Sequence, residues 1–288
     1  MSPAIAYQGE PGSNSHIACT EVFPGWEAVA CASFEDAFAQ VISGRAERAM
    51  IPIDNSIAGR VADIHALLPD TELTIVGEHF LRIRFDLLGI PGTTLGQVRE
   101  VHSHLHALGQ CRRLIREHGL VPVIAGDTAG SAREVAEWND PAKASLAPPA
   151  AAELYGLEKL AAEVEDDPTN TTRFVILSDE ETFPARDRLP QQVVTSFVFQ
   201  VRNVPSALYK ALGGFATNGV NMTRLESYMV DGQFAATKFM VDVEGHPDDP
   251  PLRCAFDELA FFTKDVRVLG VYAAHPFRAH VLAGDGRH

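Results

Sequence analysis

Short apolar runs alternate with helical patterns through the first part of the chain. Runs rich in β-branched and aliphatic residues predict strands at 4–7, 29–32, 49–53, 74–77, 98–102, 121–125, 144–147 and 173–177. Between them, residues 34–42 and 105–116 place apolar side chains on one helical face. Strands that alternate with helices favour an α/β domain with a largely parallel sheet.

Residues 81–90 interrupt this pattern, because they are rich in arginine and aliphatic residues but have no helical period. Such a segment is typical of a crossing between two lobes. We therefore predict a domain over residues 1–178, with one lobe formed by about 2–80 plus 156–178 and the other by 81–155.

The pattern changes after residue 178. Residues 179–192 are polar, contain two prolines and show no period, which predicts a linker. Residues 193–201 then alternate as a strand, a helical pattern follows until Gly219, and Asp231-Gly232 predicts a hairpin turn. A second helix and a last strand at 266–274 complete a β-α-β-β-α-β order over residues 193–280, which is the ferredoxin-like arrangement.

Composition narrows the class of protein. A chain of 288 residues is long enough for about two cores. No apolar run approaches the length of a membrane span, and no basic segment with an apolar core opens the chain, so we expect a cytoplasmic protein. Four cysteines without Cys-x-x-Cys spacing argue against a zinc site and a disulfide framework.

The formal net charge of −14 opposes non-specific binding to nucleic acid or anionic lipid. It also means that an anionic substrate must be held by local donors against an unfavourable overall field.

Hydroxyl and amide side chains follow several predicted strands and could supply such donors. These residues are Ser13, Asn14, Asn55, Ser56, Ser103 and Thr128. Each is also a good helix N-cap, and that alternative stays open. Together they would place N–H groups and helix N-termini at the carboxyl ends of strands, where open α/β sheets bind ligands.

Other signals for chemistry are weaker. His102, His104 and His106 alternate like metal ligands on a strand face, but Ser103 marks the end of the strand and breaks that geometry. The fingerprints of dinucleotide-binding proteins, P-loop proteins, zinc proteases and serine hydrolases are absent from the sequence.

The segment 170–174, Asn-Thr-Thr-Arg-Phe, brings polar side chains to the start of a buried strand. Alternation along the strand places Thr172 and Phe174 on one face and Arg173 on the other. Taken alone, the segment also fits an ordinary solvated strand start.

Segment 170–174 occurs together with several other short motifs in this sequence. Together with residues 54–59 (Asp-Asn-Ser-Ile-Ala-Gly), with Ser103-His104 followed by Gln110-Cys111, and with residues 9–16, it resembles the prephenate dehydratases. These enzymes convert prephenate to phenylpyruvate in phenylalanine biosynthesis. Residues 206–209 and 219–227 resemble the ACT regulatory domain, which binds phenylalanine. The similarity covers nearly the whole chain in the expected order.

The resemblance implies a fold and a set of roles. The catalytic domain is expected to have two α/β lobes like a periplasmic solute-binding protein, with the site in the cleft and no cofactor or metal. Thr172 becomes the catalytic residue. Substrate contacts are expected from Ser13, Asn55, Ser56, Ser103, Gln110, Thr128, Arg173 and Phe174. Effector contacts are expected from Leu208, Asn218, Val220, Asn221 and Glu226, in a homodimer or homotetramer.

Departures from the family pattern leave alternatives open. Asp54 stands where Glu is common, Tyr209 is bulkier than the usual Val, and Tyr228-Met229 replace the usual Arg-Pro pair. The strength and sign of phenylalanine control therefore stay open. The residues do not separate prephenate dehydratase from arogenate dehydratase, and a non-catalytic small-anion sensor is the alternative from another class.

Overall fold

The computed structural model describes residues 2–61, 64, 67–202, 204–229 and 236–279. The chain divides into two compact units: Met1–His65 with His79–Phe174 (the first unit), and Ala66–Glu78 with Val175–His288 (the second unit). Residues 66–78 and 175–192 group with the C-terminal part in this division. The domain bounds predicted from the sequence, with a first domain over residues 1–178, stay a prediction.

The first unit contains a sheet whose strands run in the order β2-β1-β3-β11, which we call the N-terminal sheet. Strand β1 pairs in parallel with both β2 and β3, and the short β4 folds back antiparallel on β3. Burial along most of β3 explains its nearly continuous apolar sequence. The elements are β1 (Ala4–Gln8), α1 (Asn14–Val22), β2 (Glu27–Cys31), α2 (Phe34–Ile42), β3 (Arg48–Asn55), β4 (Gly59–Arg60) and β11 (Thr171–Ser178).

A second sheet, the inserted sheet, has the order β10-β6-β9-β7-β8. Strand β7 pairs in parallel with β8 and β9, whereas β6 is antiparallel to β9 and β10. Strand β5 (Thr74–Arg82) precedes this part of the chain and is not a strand of the inserted sheet. The elements of the inserted part are β6 (Asp86–Gly89), β7 (Glu100–Ser103), α3 (Leu105–Gln110), α4 (Arg112–Glu117), β8 (Val121–Ile124), α5 (Thr128–Trp138), β9 (Lys143–Ala147), α6 (Ala150–Tyr155) and β10 (Glu158–Ala161).

The helix predicted over residues 105–116 is two helices. Helix α3 ends at Gln110 and α4 begins at Arg112. The backbone N–H groups of Arg112 and Arg113 donate to the Asp166 carboxylate, at 2.9 and 3.1 Å, instead of to carbonyls of the preceding turn. A distant carboxylate thus caps a new helix start, and the apolar spacing gave no sign of it.

The second unit contains the predicted β-α-β-β-α-β order, with the sheet order β13-β14-β12-β15. The elements are β12 (Val193–Val201), α7 (Ala207–Thr217), β13 (Met222–Met229), β14 (Ala236–Glu244), α8 (Pro250–Phe262) and β15 (Thr263–Ala273). The turn predicted at Asp231-Gly232 lies outside the described residues.

Aromatic packing forms the core of this unit. Phe197 is fully buried and contacts the rings of Phe199, Phe215 and Phe256 at centroid distances of 4.9–6.0 Å. Helices α7 and α8 approach closely at Gly214, where an added Cβ would lie 2.9 Å from Cβ of Glu258. The absence of a side chain at Gly214 therefore permits the two helices to pack closely.

Residues 66–78 join the second unit through backbone pairing. Ile75 of β5 pairs in parallel with Gly270 of β15, so closely that a Cβ on Gly270 would overlap the Ile75 carbonyl. The sequence pattern does not predict this pairing, because a glycine in an apolar strand gives no indication of which strand lies beside it.

The predicted linker is also anchored. The Arg186 guanidinium donates to Asp249 Oδ1 at 3.0 Å and to the carbonyl of Pro190 at 3.0 Å. Asp249 also accepts from the backbone N–H of His246 at 2.9 Å. Partial burial opposes ionisation of Asp249, but these donors hold the pKa of its carboxyl below the ordinary value. Residues 186–191 are thus fastened to the second unit.

Candidate active site

Asn55 and Thr172 meet where β3 ends and β11 begins. The Asn55 amide nitrogen donates to Thr172 Oγ1 at 2.9 Å and to Asn170 Oδ1 at 2.8 Å. An amide NH₂ group has two hydrogens, so both are used. Asn55 Oδ1 accepts from the backbone N–H groups of Ile57 and Ala58, at 3.0 and 2.8 Å. The Asn55 side chain is therefore fixed in orientation from both ends.

Asn170 extends this network to the inserted sheet. Its side chain is 1% exposed, and its amide nitrogen donates to Gln110 Oε1 at 2.7 Å. The backbone carbonyl of Gln110 accepts from the N–H of Asp166 at 2.6 Å. A chain of amides from Gln110 through Asn170 and Asn55 to Thr172 thus connects α3 to the start of β11. We call these four residues the amide network.

Thr172 is the last residue of the amide network, and its hydroxyl oxygen accepts a hydrogen bond from Asn55. Thr172 is 8% exposed, and within the described part of the chain its Oγ1 has Asn55 as its hydrogen-bond partner. Because the oxygen receives a proton from Asn55, the hydroxyl hydrogen remains available for another acceptor. The arrangement suits a positioned hydrogen-bond or proton donor.

Ser56 connects the end of β3 to the start of β11, and its predicted contact with substrate stays a prediction. Its Oγ accepts from the backbone N–H of Thr171 at 2.9 Å, and its own N–H donates to the Thr171 carbonyl at 2.9 Å. Oγ also lies 3.4 Å from the carbonyl oxygen of Thr169. The hydroxyl predicted to hold substrate is thus used to fasten β3 to β11, beside Thr172.

Arg173 and Phe174 follow the alternation expected from a strand. The Arg173 guanidinium is largely buried and lies 3.8 Å from the Asp54 carboxylate, so part of its charge is balanced inside the fold. Phe174 is buried in the core, and its predicted contact with substrate stays a prediction. Its large apolar ring stabilises β11.

Ser103 lies inside the inserted sheet, and its predicted contact with substrate stays a prediction. Its side chain is fully buried, and Oγ donates to the Leu146 carbonyl at 2.6 Å. The hydroxyl thus links β7 to β9 and does not join the amide network. The neighbouring His104 is the N-cap of α3, with Nδ1 accepting from the N–H of His106 at 3.4 Å. Within the described residues, no three His, Cys, Asp or Glu side chains form a metal-binding group.

Ser13 and Thr128 lie at helix N-termini. Ser13 caps α1 by accepting from the N–H of His16 at 3.4 Å, whereas Asp127 caps α5 and Thr128 is the first helical residue. Gly9 lies between the two caps, because an added Cβ would be 3.3 Å from Ser13 Oγ and 3.8 Å from Asp127 Oδ2. The capping alternative therefore holds for Ser13, and two helix N-termini face one another across this loop.

A cleft of about 630 Å³ adjoins the amide network. Its walls come from the turn after β3, from α3 and α4, and from β8, and Gln110 belongs to both the cleft and the network. Arg112 and Arg116 line it as well, although sequence reasoning did not single them out. Their spacing of four residues on a helix was the available signal.

The predicted effector residues lie in the second unit. Leu208 and Val220 pack against its hydrophobic core. The Asn218 amide nitrogen caps α7 by donating to the Gly214 carbonyl at 2.8 Å and also reaches Glu258 Oε1 at 2.9 Å. The Asn221 carbonyl accepts from the N–H of Glu244 at 3.0 Å, and Glu226 lies half-buried on β13.

The family assignment follows from comparison with known proteins. Residues 5–182 match the family model described as prephenate dehydratase. The chain belongs to the prephenate dehydratase family. It is accordingly a hydro-lyase of aromatic amino acid biosynthesis. No helix among the described residues is long and apolar enough to cross a membrane.

The relatives of this chain are named for more than one activity. The bifunctional N-acyl-homoserine lactone acylase/prephenate dehydratase of Komagataeibacter europaeus is 54% identical over 275 residues, covering 95% of this chain and 97% of the relative. Arogenate dehydratase/prephenate dehydratase 2 of Arabidopsis thaliana is 36% identical, covering 93% of this chain and 72% of that protein. The crystal structure of the Arthrobacter aurescens prephenate dehydratase in complex with L-phenylalanine superposes with a TM-score of 0.86, at 28% identity and 98% coverage of each chain.

Replacing Asn170 tests whether the amide network serves the lyase reaction. We expect Asn170→Ala to lower kcat/KM by about tenfold or more, because Asn55 loses one of its two acceptors and no longer holds Thr172 in one orientation. The free energy of unfolding should fall by about 1–3 kcal/mol, since a buried hydrogen-bond partner is lost. Steady-state kinetics and urea denaturation measure the two effects.

Thr169→Ala is the matched control for this substitution, because Thr169 is exposed and, among the residues that the structure describes, its hydroxyl contacts the local Asp167 carboxylate alone. A stability loss in Asn170→Ala with unchanged kcat/KM would show that the network is only structural.

Proposed function

We propose that this chain catalyses the decarboxylative dehydration of prephenate to phenylpyruvate, with Thr172 as the donor to the leaving oxygen. The observation that supports this role is the hydrogen bond of 2.9 Å from the Asn55 amide to Thr172 Oγ1. It fixes the oxygen and leaves the hydroxyl hydrogen for the substrate.

The chemistry explains why one donor matters. Electrons of the bond between the ring carbon and the departing carboxylate move into the ring as carbon dioxide leaves. The ring hydroxyl departs with a bonding pair and needs a proton to leave as water. Aromatisation makes the reaction strongly downhill, so the leaving oxygen is the remaining difficulty. Help from a positioned general acid is typically worth roughly 10²- to 10⁴-fold.

Asn55 also improves the donor. Hydrogen bonds arranged in a chain polarise one another, so a hydroxyl that accepts from an amide donates more strongly. Asn170 and Gln110 hold Asn55 in this orientation at no cost during the reaction, as a preorganised site requires. The N-termini of α1 and α5 supply partial positive charge for an anionic substrate in a chain of net charge −14.

Thr172→Val tests the proposed role, because valine keeps the shape and removes the hydroxyl. We expect kcat for phenylpyruvate formation from prephenate to fall by at least about 10²-fold, while prephenate binding by calorimetry stays within a few-fold. Thr172→Ser should restore much of the rate, because it restores the O–H donor.

Thr171→Val is the control for strand position, since the Thr171 hydroxyl donates to the local Thr169 carbonyl and not to the amide network. Equal loss of binding and turnover in Thr172→Val would assign Thr172 to binding or folding. The same assays with arogenate decide between the two dehydratase substrates. Binding of prephenate without turnover by the unmodified chain would support the anion-sensor alternative.

The second unit is proposed to be an ACT domain that senses phenylalanine. Its β-α-β-β-α-β order and the L-phenylalanine complex of the Arthrobacter relative support this proposal. Leu208, Asn218, Val220, Asn221 and Glu226 stay predicted effector contacts, and a homodimer or homotetramer stays the predicted assembly.

Millimolar L-phenylalanine is expected to raise the melting temperature, because a ligand that binds only the folded state stabilises it by mass action. The same additions should lower the rate of prephenate turnover. Differential scanning fluorimetry with D-phenylalanine as the control measures the first effect. The absence of a shift would indicate that Tyr209 and Tyr228-Met229 have closed the effector site.

An amide hydrolase activity is the second candidate. The supporting observation is the 54% identity to the Komagataeibacter europaeus protein over 95% of this chain, since that relative is named for both activities. The reaction adds water across the amide bond of an N-acyl-homoserine lactone and yields a fatty carboxylate and homoserine lactone.

We expect the purified chain to release both products from N-decanoyl-homoserine lactone, as measured by mass spectrometry. Thr172→Val shows whether the two activities share a residue, because loss of both would place the amide in the same cleft. A preparation that converts prephenate but leaves the amide intact would eliminate this candidate.

A further inference from the structure

The cleft beside the amide network has mainly aliphatic walls. Eight of its twelve lining residues have apolar side chains or none, and the polar ones are His106, Gln110, Arg112 and Arg116. The volume of about 630 Å³ lies within the range of about 300–1,000 Å³ that encloses ligands of drug size. Its main apolar lining residues are Ile57, Leu105, Leu108, Ile115, Pro122 and Ile124.

Several of these side chains are open to solvent. Ile57, Leu105 and Ile124 are 45%, 57% and 66% exposed, although they come from three separate segments of the chain. Single exposed aliphatic residues are common, but their convergence in one concave site marks a binding surface.

Two arginine side chains lie among the apolar residues of the cleft. Arg112 and Arg116 line the cleft, and within the described residues neither guanidinium forms an ion pair. The start of their helix is fixed, because the Arg112 N–H donates to Asp166 at 2.9 Å. In a chain of net charge −14, unpaired arginines next to an aliphatic wall complement a ligand with an apolar chain and an anionic head.

The edge of the sheet argues against a protein strand as the occupant. Strand β8 is the edge of the inserted sheet, but Pro122 lies in the middle of it and provides no N–H. Edge strands interrupted by proline are poor templates for strand addition. The side chains of β8 therefore remain as the recognition surface.

We propose that this cleft binds linear acyl compounds, with the aliphatic chain against Ile57, Leu105 and Ile124 and a carboxylate head against Arg112 and Arg116. The inference goes beyond the lyase reaction and does not depend on it. It would supply the acyl-chain site for the second candidate function.

Calorimetry with sodium octanoate, decanoate and dodecanoate, each below its critical micelle concentration, tests the proposal. Affinity should rise about three- to fourfold per methylene, as burial of each CH₂ group predicts. Ile124→Glu should weaken decanoate binding at least about tenfold, because a carboxylate would enter the apolar wall. Ile42→Glu is the matched control, since Ile42 is 59% exposed at the end of α2 and outside the cleft.

A second pair of variants tests the head group. Arg112→Ala combined with Arg116→Ala should weaken decanoate binding about tenfold or more and reduce its dependence on salt. Arg113→Ala is the control, because Arg113 is on the same helix but does not line the cleft.

Affinity without dependence on chain length, or no binding at millimolar decanoate, would overturn the inference. Light scattering of Ile124→Glu gives the other opposing outcome: a change of oligomeric state, with no decanoate binding by the unmodified chain, would assign the cleft to an interface between copies. Prephenate turnover is measured on the same preparations, so failure of the lyase proposal is recorded separately.

Discussion

The hydrogen bonds of one side chain, Asn55, hold together the amide network of the first unit. Its amide nitrogen holds Thr172 and Asn170, while its oxygen holds the turn that follows β3. Asn55 is half-buried, and both amide hydrogens and both acceptor positions of its side chain are occupied, so any other orientation would lose hydrogen bonds. The position of the Thr172 hydroxyl therefore depends on residues that are more than a hundred positions away in the chain.

The side chains of the amide network carry no charge. Neutral amides orient a neutral hydroxyl without the desolvation cost of a buried ion pair. The charged side chains nearby lie outside the amide network. Arg173 lies near the Asp54 carboxylate, and Arg112 and Arg116 line the cleft. Acidic residues elsewhere can then keep the protein soluble without disturbing the site.

The sequence alone predicted the order of elements well where local pattern decides it. Strand β12 and helix α2 have the predicted bounds, because alternation and helical period are properties of adjacent residues. Predictions that depended on distant partners were less accurate. Asp166 divides the helix predicted at 105–116, and Gly270 brings residues 66–78 into the second unit. Ser103 and Phe174 lie on the strands that the pattern predicted, but their complete burial could not be predicted from that pattern. No role was predicted for Asn170 in segment 170–174, because its contacts with Gln110 and Asn55 join distant parts of the chain.

The pairing of Ile75 with Gly270 has an evolutionary consequence. Recombination usually separates domains at the loops that join them, and residues 179–192 look suitable for such a cut. A gene broken there would encode a catalytic fragment that still carries residues 66–78, whose backbone partner would be on the lost piece. The freed strand would be an open edge prone to aggregation. The two parts of this chain are therefore poor candidates for shuffling, and they are expected to be inherited together.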